Sequence, residues 1–306
     1  MANHSKQLQL GYLSLILATA FWGGNFVLGK VLSGAIEPIS LTFSRWFPAF
    51  LILALVFYRP TKQSLVQLNA HPLRNFSVMW SLGMLGVVLF PATLYQGLKT
   101  TSALNASLYL AVVPVLVLLL NRLLFKEKIS PMILAGALIS LIGVVWLLSQ
   151  GDLMRMTQLN VNHGDLWAIA SAVSWAIYCC IIRFRPTNIS NTAFLTLLVG
   201  LAVVSLIPFF LVELFSHSAA QFIELHSAQW LGIGYLIIGP SILSYAFWNY
   251  GIAIVGPAKG AVMTNVTPLF AALFSIVLLN EAVQSFHLIS ASLIVLGVLI
   301  CSYHKK

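Results

Sequence analysis

The stretch Lys6-Gln-Leu-Gln-Leu-Gly-Tyr-Leu-Ser-Leu-Ile-Leu-Ala-Thr-Ala-Phe-Trp-Gly-Gly-Asn-Phe-Val-Leu-Gly-Lys30 decides the fold. The residues between its two lysines include no Asp, Glu, Lys or Arg. As an α-helix they would cover about 34 Å, enough to cross a hydrocarbon layer about 30 Å thick. A strand fails here, because a lone apolar strand in lipid leaves its backbone unpaired. The alternating pattern of a membrane barrel is also missing. Lys6, the apolar run and Ala18-Thr19-Ala20 mimic a secretory leader with its cleavage site. The run continues through Phe21-Trp22 to Leu28, so it reads as a spanning helix that is kept.

Outward from this stretch the pattern recurs. Apolar runs cover 38–58, which contains Arg45, then Arg74 to Lys99, Lys99 to Arg122, and 130–150. After a polar stretch at 151–163 come Asp165 to Arg183, Arg185 to Glu213, 229–255, 260–280 and 286–303. Over the whole chain 59% of residues are apolar and 8% carry a charge, against about 25% charged in a soluble domain. Ten helices of about 20 residues would use about two thirds of 306 positions and leave no room for a separate soluble domain. The expected fold class is an all-α integral membrane protein of ten transmembrane helices.

Sixteen basic residues face seven acidic ones. On a soluble protein that excess would suggest nucleic acid, but here no basic face is available and no nucleic-acid partner is expected. The excess reads as topology instead. With ten spans both termini share a side. Placed in the cytoplasm, that side holds Lys6, Arg59, Lys62, Arg74, Arg122, Lys126, Lys128, Arg183, Arg185, Lys259, Lys305 and Lys306. Only Lys30, Arg45, Lys99 and Arg155 remain outside or within a span. The positive-inside rule therefore predicts cytoplasmic termini. Cys179, Cys180 and Cys301 lie in apolar runs with no disulfide or zinc spacing and read as small apolar fillers.

The chain also repeats itself at a spacing of about 154. Trp22 matches Trp175, Lys30 matches Arg183, Gly97 matches Gly251, Pro114 matches Pro268, Glu127 matches Glu281 and Gly143 matches Gly297. Residues 1–150 and 151–306 then form two halves of five spans each. Five is odd, so the second half enters the membrane upside down. Inverted repeats of this kind build many secondary transporters and let two halves rock about a central site.

Five plus five spans of this size resemble the drug/metabolite transporter superfamily, in its EamA-type branch. Ala-Thr-Ala-Phe-Trp-Gly-Gly-Asn-Phe-Val-Leu-Gly-Lys in the first span is similar to that family's opening motif around Trp22, Asn25 and Lys30. Arg45 matches its second-helix basic residue, and Pro114 with Glu127 and Pro268 with Glu281 resemble its paired signature. The resemblance covers nearly the whole chain. It departs at Tyr178, where the first half has Asn25, and at Leu198, where the first half has Arg45. It implies a transporter, often an exporter of amino acids or related metabolites in a bacterial inner (plasma) membrane. Its partners would be a small-molecule substrate and membrane lipids.

Arg45 lies seven residues into the second run. A mid-helix charge costs about 2.5–3.5 kcal/mol on insertion scales, so it should face a polar cavity. No Asp, Glu or His is expected inside a span to pair with it. Two readings stand: it recognises a substrate carboxylate, or it snorkels or braces backbone carbonyls.

A second candidate set comprises Trp22, Asn25 and Phe26 of the first run, Tyr95 and Gln96 of the third, and Asn105 and Tyr109 of the fourth. Trp175 and Tyr178 of the sixth, Tyr245 and Asn249 of the eighth, and Asn265 of the ninth complete it. A helix facing lipid does not favour amides, and a cavity of aromatics with few polar groups suits a small amphipathic solute. The competing reading is hydrogen bonding between helices. Pro114 and Pro268 are candidate hinges, because proline frees a carbonyl one turn earlier. Glu127 and Glu281 read as caps or loop ion pairs.

There is no Walker A motif for ATP drive, no metal-ligand cluster and no catalytic residue set within the spans, and no cofactor is expected. The reading is a secondary transporter that works by alternating access. The alternatives are a flippase for a lipid-linked or sugar-linked solute and, in another class, a membrane-embedded enzyme.

Overall fold

The computed structural model describes residues 2–68, 72–101, 103–154, 162–217, 222, 225–279 and 283–303. Glu281 and Arg155 lie outside the described residues, as does the side chain of Asn105. Every regular element among the described residues is helical. Eight stretches are long and apolar enough to cross a bilayer: Lys6–Ser33, Pro38–Val56, Pro72–Thr100, Pro131–Leu148, His163–Phe184, Asn191–Ser216, Ser227–Val255 and Ser285–Ser302. Their outward faces carry large apolar side chains, with Leu55 82% and Phe215 83% exposed. A soluble protein would bury such a surface, and here it meets lipid.

In chain order, α1 (Ala2–Ser33) and α2 (Pro38–Val56) are followed by a short amphipathic helix, α3 (Tyr58–Leu68). The third run is α4 (Pro72–Gly83), a π-helical turn (Met84–Leu89) and α5 (Phe90–Thr100). The fourth run breaks into α6 (Ala103–Ala111) and α7 (Val113–Phe125), and α8 (Pro131–Leu148) closes the first half. The second half begins with α9 (His163–Ile181) and α10 (Asn191–His217). Next come α11 (Ser227–Leu236), a second π turn (Ile237–Leu243) and α12 (Ser244–Val255). The ninth run is α13 (Pro257–Val262), a 3₁₀ turn (Met263–Val266) and α14 (Thr267–Leu279), and α15 (Ser285–Tyr303) ends the order.

The two candidate hinge prolines do not interrupt helices. Pro114 and Pro268 each stand second in a new helix, where proline's missing N–H costs nothing and its fixed φ suits the first turn. The chain breaks just before each of them, at Val112 and through the 3₁₀ turn Met263–Val266. The seventh run, α10, extends past its expected boundary, so Glu213 lies inside it. Its carboxylate accepts the N–H of Ile39 at 3.3 Å and of Ser40 at 2.5 Å. It thereby offsets the unpaired donors and positive dipole end of α2. Asp165 is likewise inside α9, fully buried, and accepts from the Thr101 hydroxyl and the Asn162 N–H. Both carboxylates sit near helix ends, so mid-span depth still lacks an acid among the described residues.

Glycines set the closest helix contacts, because a missing side chain lets backbones touch. A Cβ on Gly97 of α5 would lie 2.8 Å from the Gly164 carbonyl of α9. A Cβ on Gly251 of α12 would lie 2.8 Å from the Gly11 carbonyl of α1. Gly97 and Gly251 are partners in the sequence repeat, and Gly11 and Gly164 are spaced likewise, so the same contact occurs twice. Between α8 and α15, Gly136, Gly143 and Gly297 allow a third close approach. The two π turns also fall at matching places. Each opens a helix by one residue and frees carbonyls that side chains then use. Ser174 Oγ donates to Leu85 O at 2.8 Å, the Tyr245 hydroxyl to Gly86 O, and Trp22 Nε1 to Pro240 O at 3.2 Å.

Candidate functional site

Arg45 is carried into the core by α2 and is 2% exposed. A guanidinium there must be hydrogen-bonded or it would be strongly disfavoured. Its partners are neutral: Nε donates to Ser241 Oγ at 2.8 Å, and Nη1 donates to Asn25 Oδ1 at 3.1 Å and to the Tyr95 hydroxyl at 2.6 Å. Tyr95 in turn donates to Asn25 Oδ1 at 3.0 Å. The cation also lies 5.0 Å from the ring centroid of Trp46. Among the described residues Nη2 donates no hydrogen bond and no carboxylate pairs with Arg45. Partners on α1, α5 and the second π turn thus take the in-plane hydrogens of Nε and Nη1, and among the described residues those of Nη2 stay unused.

The second half answers this cluster with its residues exchanged. Where Asn25 and Tyr95 pair in the first half, Tyr178 and Asn249 occupy the repeat positions, and Tyr178 donates to Asn249 Oδ1 at 2.7 Å. Amide and phenol have swapped helices while the bond between them persists. Leu198 stands where Arg45 would be, so the charge belongs to one half only.

Between the halves lies an aromatic cluster. Trp22 meets Trp175 edge to face at 5.1 Å between ring centroids, Trp175 stacks on Tyr178 at 4.8 Å, and Trp22 lies 5.1 Å from Trp248. Such pairs contribute about 0.5–1.5 kcal/mol each beyond area burial. Beside the cluster is a cavity of about 50 Å³, lined by Trp22, Asn25, Phe26, Trp175, Asn265 and Pro268 among others. It is room for a few waters. Asn265 is 1% exposed, and neither its Nδ2 nor its Oδ1 has a partner. A buried amide left unsatisfied costs about 1–3 kcal/mol per group, so this position favours an occupant that offers both a donor and an acceptor.

The structure therefore divides the candidate residues. Trp22, Asn25, Phe26, Trp175 and Asn265 converge on the cavity. Arg45 and Tyr95 form the adjoining cationic cluster, joined to the cavity through Asn25. Tyr178, Tyr245 and Asn249 are buried in the core behind Trp175. Gln96 and Tyr109 are half-buried and do not line the cavity. Sequence reasoning missed Ser241, which accepts from Arg45 Nε, and Phe90, which lines the cavity. The one signal for Ser241 was a hydroxyl one turn before Tyr245, next to a proline. Glu127 forms an ion pair with Arg183, as the loop-pair reading expected.

The EamA-like transporter family matches twice, over residues 9–149 and 162–303. An uncharacterized transporter, YyaM, of Bacillus subtilis (strain 168) is 29% identical over 296 residues, covering 95% of this chain and 93% of that one. A protein of Salmonella typhimurium named as a probable amino-acid metabolite efflux pump is 26% identical over 303 residues, with 95% and 93% covered. A crystal structure that shares 21% identity superposes with a TM-score of 0.71 over 97% of this chain and 96% of that chain, which shows the same fold. The chain belongs to the EamA-like transporter family and is an integral membrane protein.

Proposed function

We propose that this transporter is a secondary carrier that exports amino acids or related carboxylate-bearing metabolites by alternating access. The observation that carries the reading is Arg45: a buried cation with neutral partners, an unused Nη2 and an aromatic cavity next to it. A substrate carboxylate would complete the guanidinium with a charge-assisted bond, and the rings would take the apolar side chain. One buried charge among aromatics fits such a solute better than a sugar, which needs many hydrogen-bonding groups. Among the described residues no group of three or more His, Cys, Asp or Glu side chains comes together, so a carrier fits better than an enzyme. The efflux relative supports export.

The same reading has ten spans, with the broken fourth and ninth runs completing the eight unbroken ones, in two inverted halves, 1–150 and 151–306. Support comes from the double family match, the repeated glycine contact and the paired π turns. Cells that lack the chain should accumulate a carboxylate metabolite that overexpressing cells release. An unchanged export profile across the metabolite set would count against the reading.

The proposed setting is a bacterial inner membrane with cytoplasmic termini. Arg122, Lys126, Lys128, Arg183, Arg185 and Lys259 lie at or near helix ends on the side where Gly11 of α1 meets the tip of α12. A cysteine placed near Asp152 should react with an impermeant reagent from outside, and one near Lys62 only after the cells are opened. The native cysteines are buried and should stay silent. The reverse pattern would invert the orientation.

A further inference from the structure

A second, larger space lies at the end of the bundle where Gly11 of α1 meets the tip of α12. This vestibule of about 630 Å³ is lined by Asn121, Glu127, Lys128, Arg183, Gly256 and Lys259 among others, a size in the range of small-ligand sites. A recess of about 270 Å³ adjoins it, shares Arg183 and Gly256, and adds Arg185. Lys128, Arg183 and Lys259 line the vestibule and Arg185 the recess, while Glu127, the one acidic residue among those lining either space, is paired with Arg183.

Arg183 is held from behind. Its Nε donates to Cys180 O at 3.0 Å, its Nη2 to Asn121 Oδ1 at 3.0 Å, and it lies 4.7 Å from the Phe125 ring centroid. Asn121 is 2% exposed, and its Nδ2 has no partner. The vestibule therefore places the unpartnered Asn121 Nδ2 and the Lys128 ammonium beside the Arg183–Glu127 pair.

It is also separate from the central cavity. Val113 lines the cavity and Leu118 the vestibule, both on α7, so five residues, about 7 Å of helix, divide the two spaces. Buried Val117 and Ala261 share a core cluster with Val113, and Val262 packs in one with Leu118. The plug is apolar and belongs to the two broken runs.

We propose that the vestibule is a binding site for a multiply charged oxyanion, a phosphate group above all, distinct from the central site. That this end faces the cytoplasm rests on the proposed orientation; the ion site does not. A phosphate can arrive as a free solute or on an anionic lipid head group, and both bring the same oxygens to Arg183 and Lys128.

The test uses the purified full chain in phosphatidylcholine nanodiscs at low ionic strength, with inorganic phosphate titrated while the Tm is followed. The Tm should rise and saturate, because binding to the folded state alone stabilises it. Asn121→Asp replaces an unpartnered donor with an acceptor and keeps the oxygen that Arg183 uses. It and Lys128→Glu should each weaken phosphate at least about tenfold, while Lys62→Gln, on α3, should leave it unchanged. In discs containing phosphatidylglycerol, a Tm rise without phosphate that Asn121→Asp removes would assign the site to the lipid phosphate. A response that is linear in salt and equal in all variants, or no response to phosphate or lipid, would overturn the proposal. Because the readout is binding, lost carboxylate export with intact phosphate binding would strike only the central-site reading.

Discussion

Arg45→Ala is expected to abolish carriage of the carboxylate-bearing substrate while its methyl ester, if carried at all, crosses as before. Loss of one partner from a buried ion pair costs about 3–5 kcal/mol, which corresponds to a drop of about a hundredfold or more in affinity. The neutral frame should survive the substitution, because Tyr95 reaches Asn25 directly at 3.0 Å and Ser241 donates to Leu236 O at 2.6 Å. Arg45→Lys should keep only part of the activity, since lysine retains the charge but cannot donate to Ser241, Asn25 and an incoming carboxylate in one plane. Uptake of labelled acid and labelled ester by proteoliposomes checks this. If acid and ester fall together in a folded variant, Arg45 braces the bundle and does not read the substrate.

Gly297→Ala should lower the Tm of the detergent-solubilised protein by an amount matching about 1–3 kcal/mol of overpacking, and Gly297→Val by more. A Cβ on Gly297 would meet the Gly136 carbonyl and lie 2.7 Å from the Ser140 amide nitrogen. These are backbone atoms of α8, so no side chain can rotate away. Gly234→Ala is the control. A Cβ there meets nothing within 4 Å, and alanine is the better helix former by about 1 kcal/mol, so that variant should be as stable as the parent or more so. Thermal unfolding of the three variants side by side decides the matter. A Gly297→Ala protein as stable as wild type would mean that α8 and α15 stand further apart.

The contrast between Arg45 and its partners shows what the sequence made legible. Hydropathy places a residue along a helix, so the membrane class and the depth of Arg45 could be read from apolar run lengths. Rotation about the helix axis and the identity of facing helices are tertiary facts. Ser241 therefore stayed invisible as a partner 196 positions away, and so did the exchange of Asn25–Tyr95 for Tyr178–Asn249. The change from Asn25 to Tyr178 stood as a bare departure from the repeat because its counterpart, Tyr95 to Asn249, emerges only when the facing helices are known. The π turns at Met84–Leu89 and Ile237–Leu243 left no compositional trace, since one extra residue per turn does not change an apolar run. Glu213 was misread as a boundary because a charge ordinarily ends a span; here the end of α2 supplies donors that let it stay in a helix. Pro114 and Pro268 lie just after the breaks in the fourth and ninth runs, but proline in a first turn and proline inside a helix look alike in sequence.

Counterflow in proteoliposomes tests the central claim most directly. Vesicles holding purified wild-type protein are loaded with unlabelled carboxylate substrate and diluted into a trace of the labelled acid. A carrier with one site exposed alternately to each side should draw label inward above its equilibrium level and then release it, and vesicles loaded with buffer alone should show no overshoot. Label that enters in proportion to its concentration, with no overshoot and no saturation, would contradict alternating access.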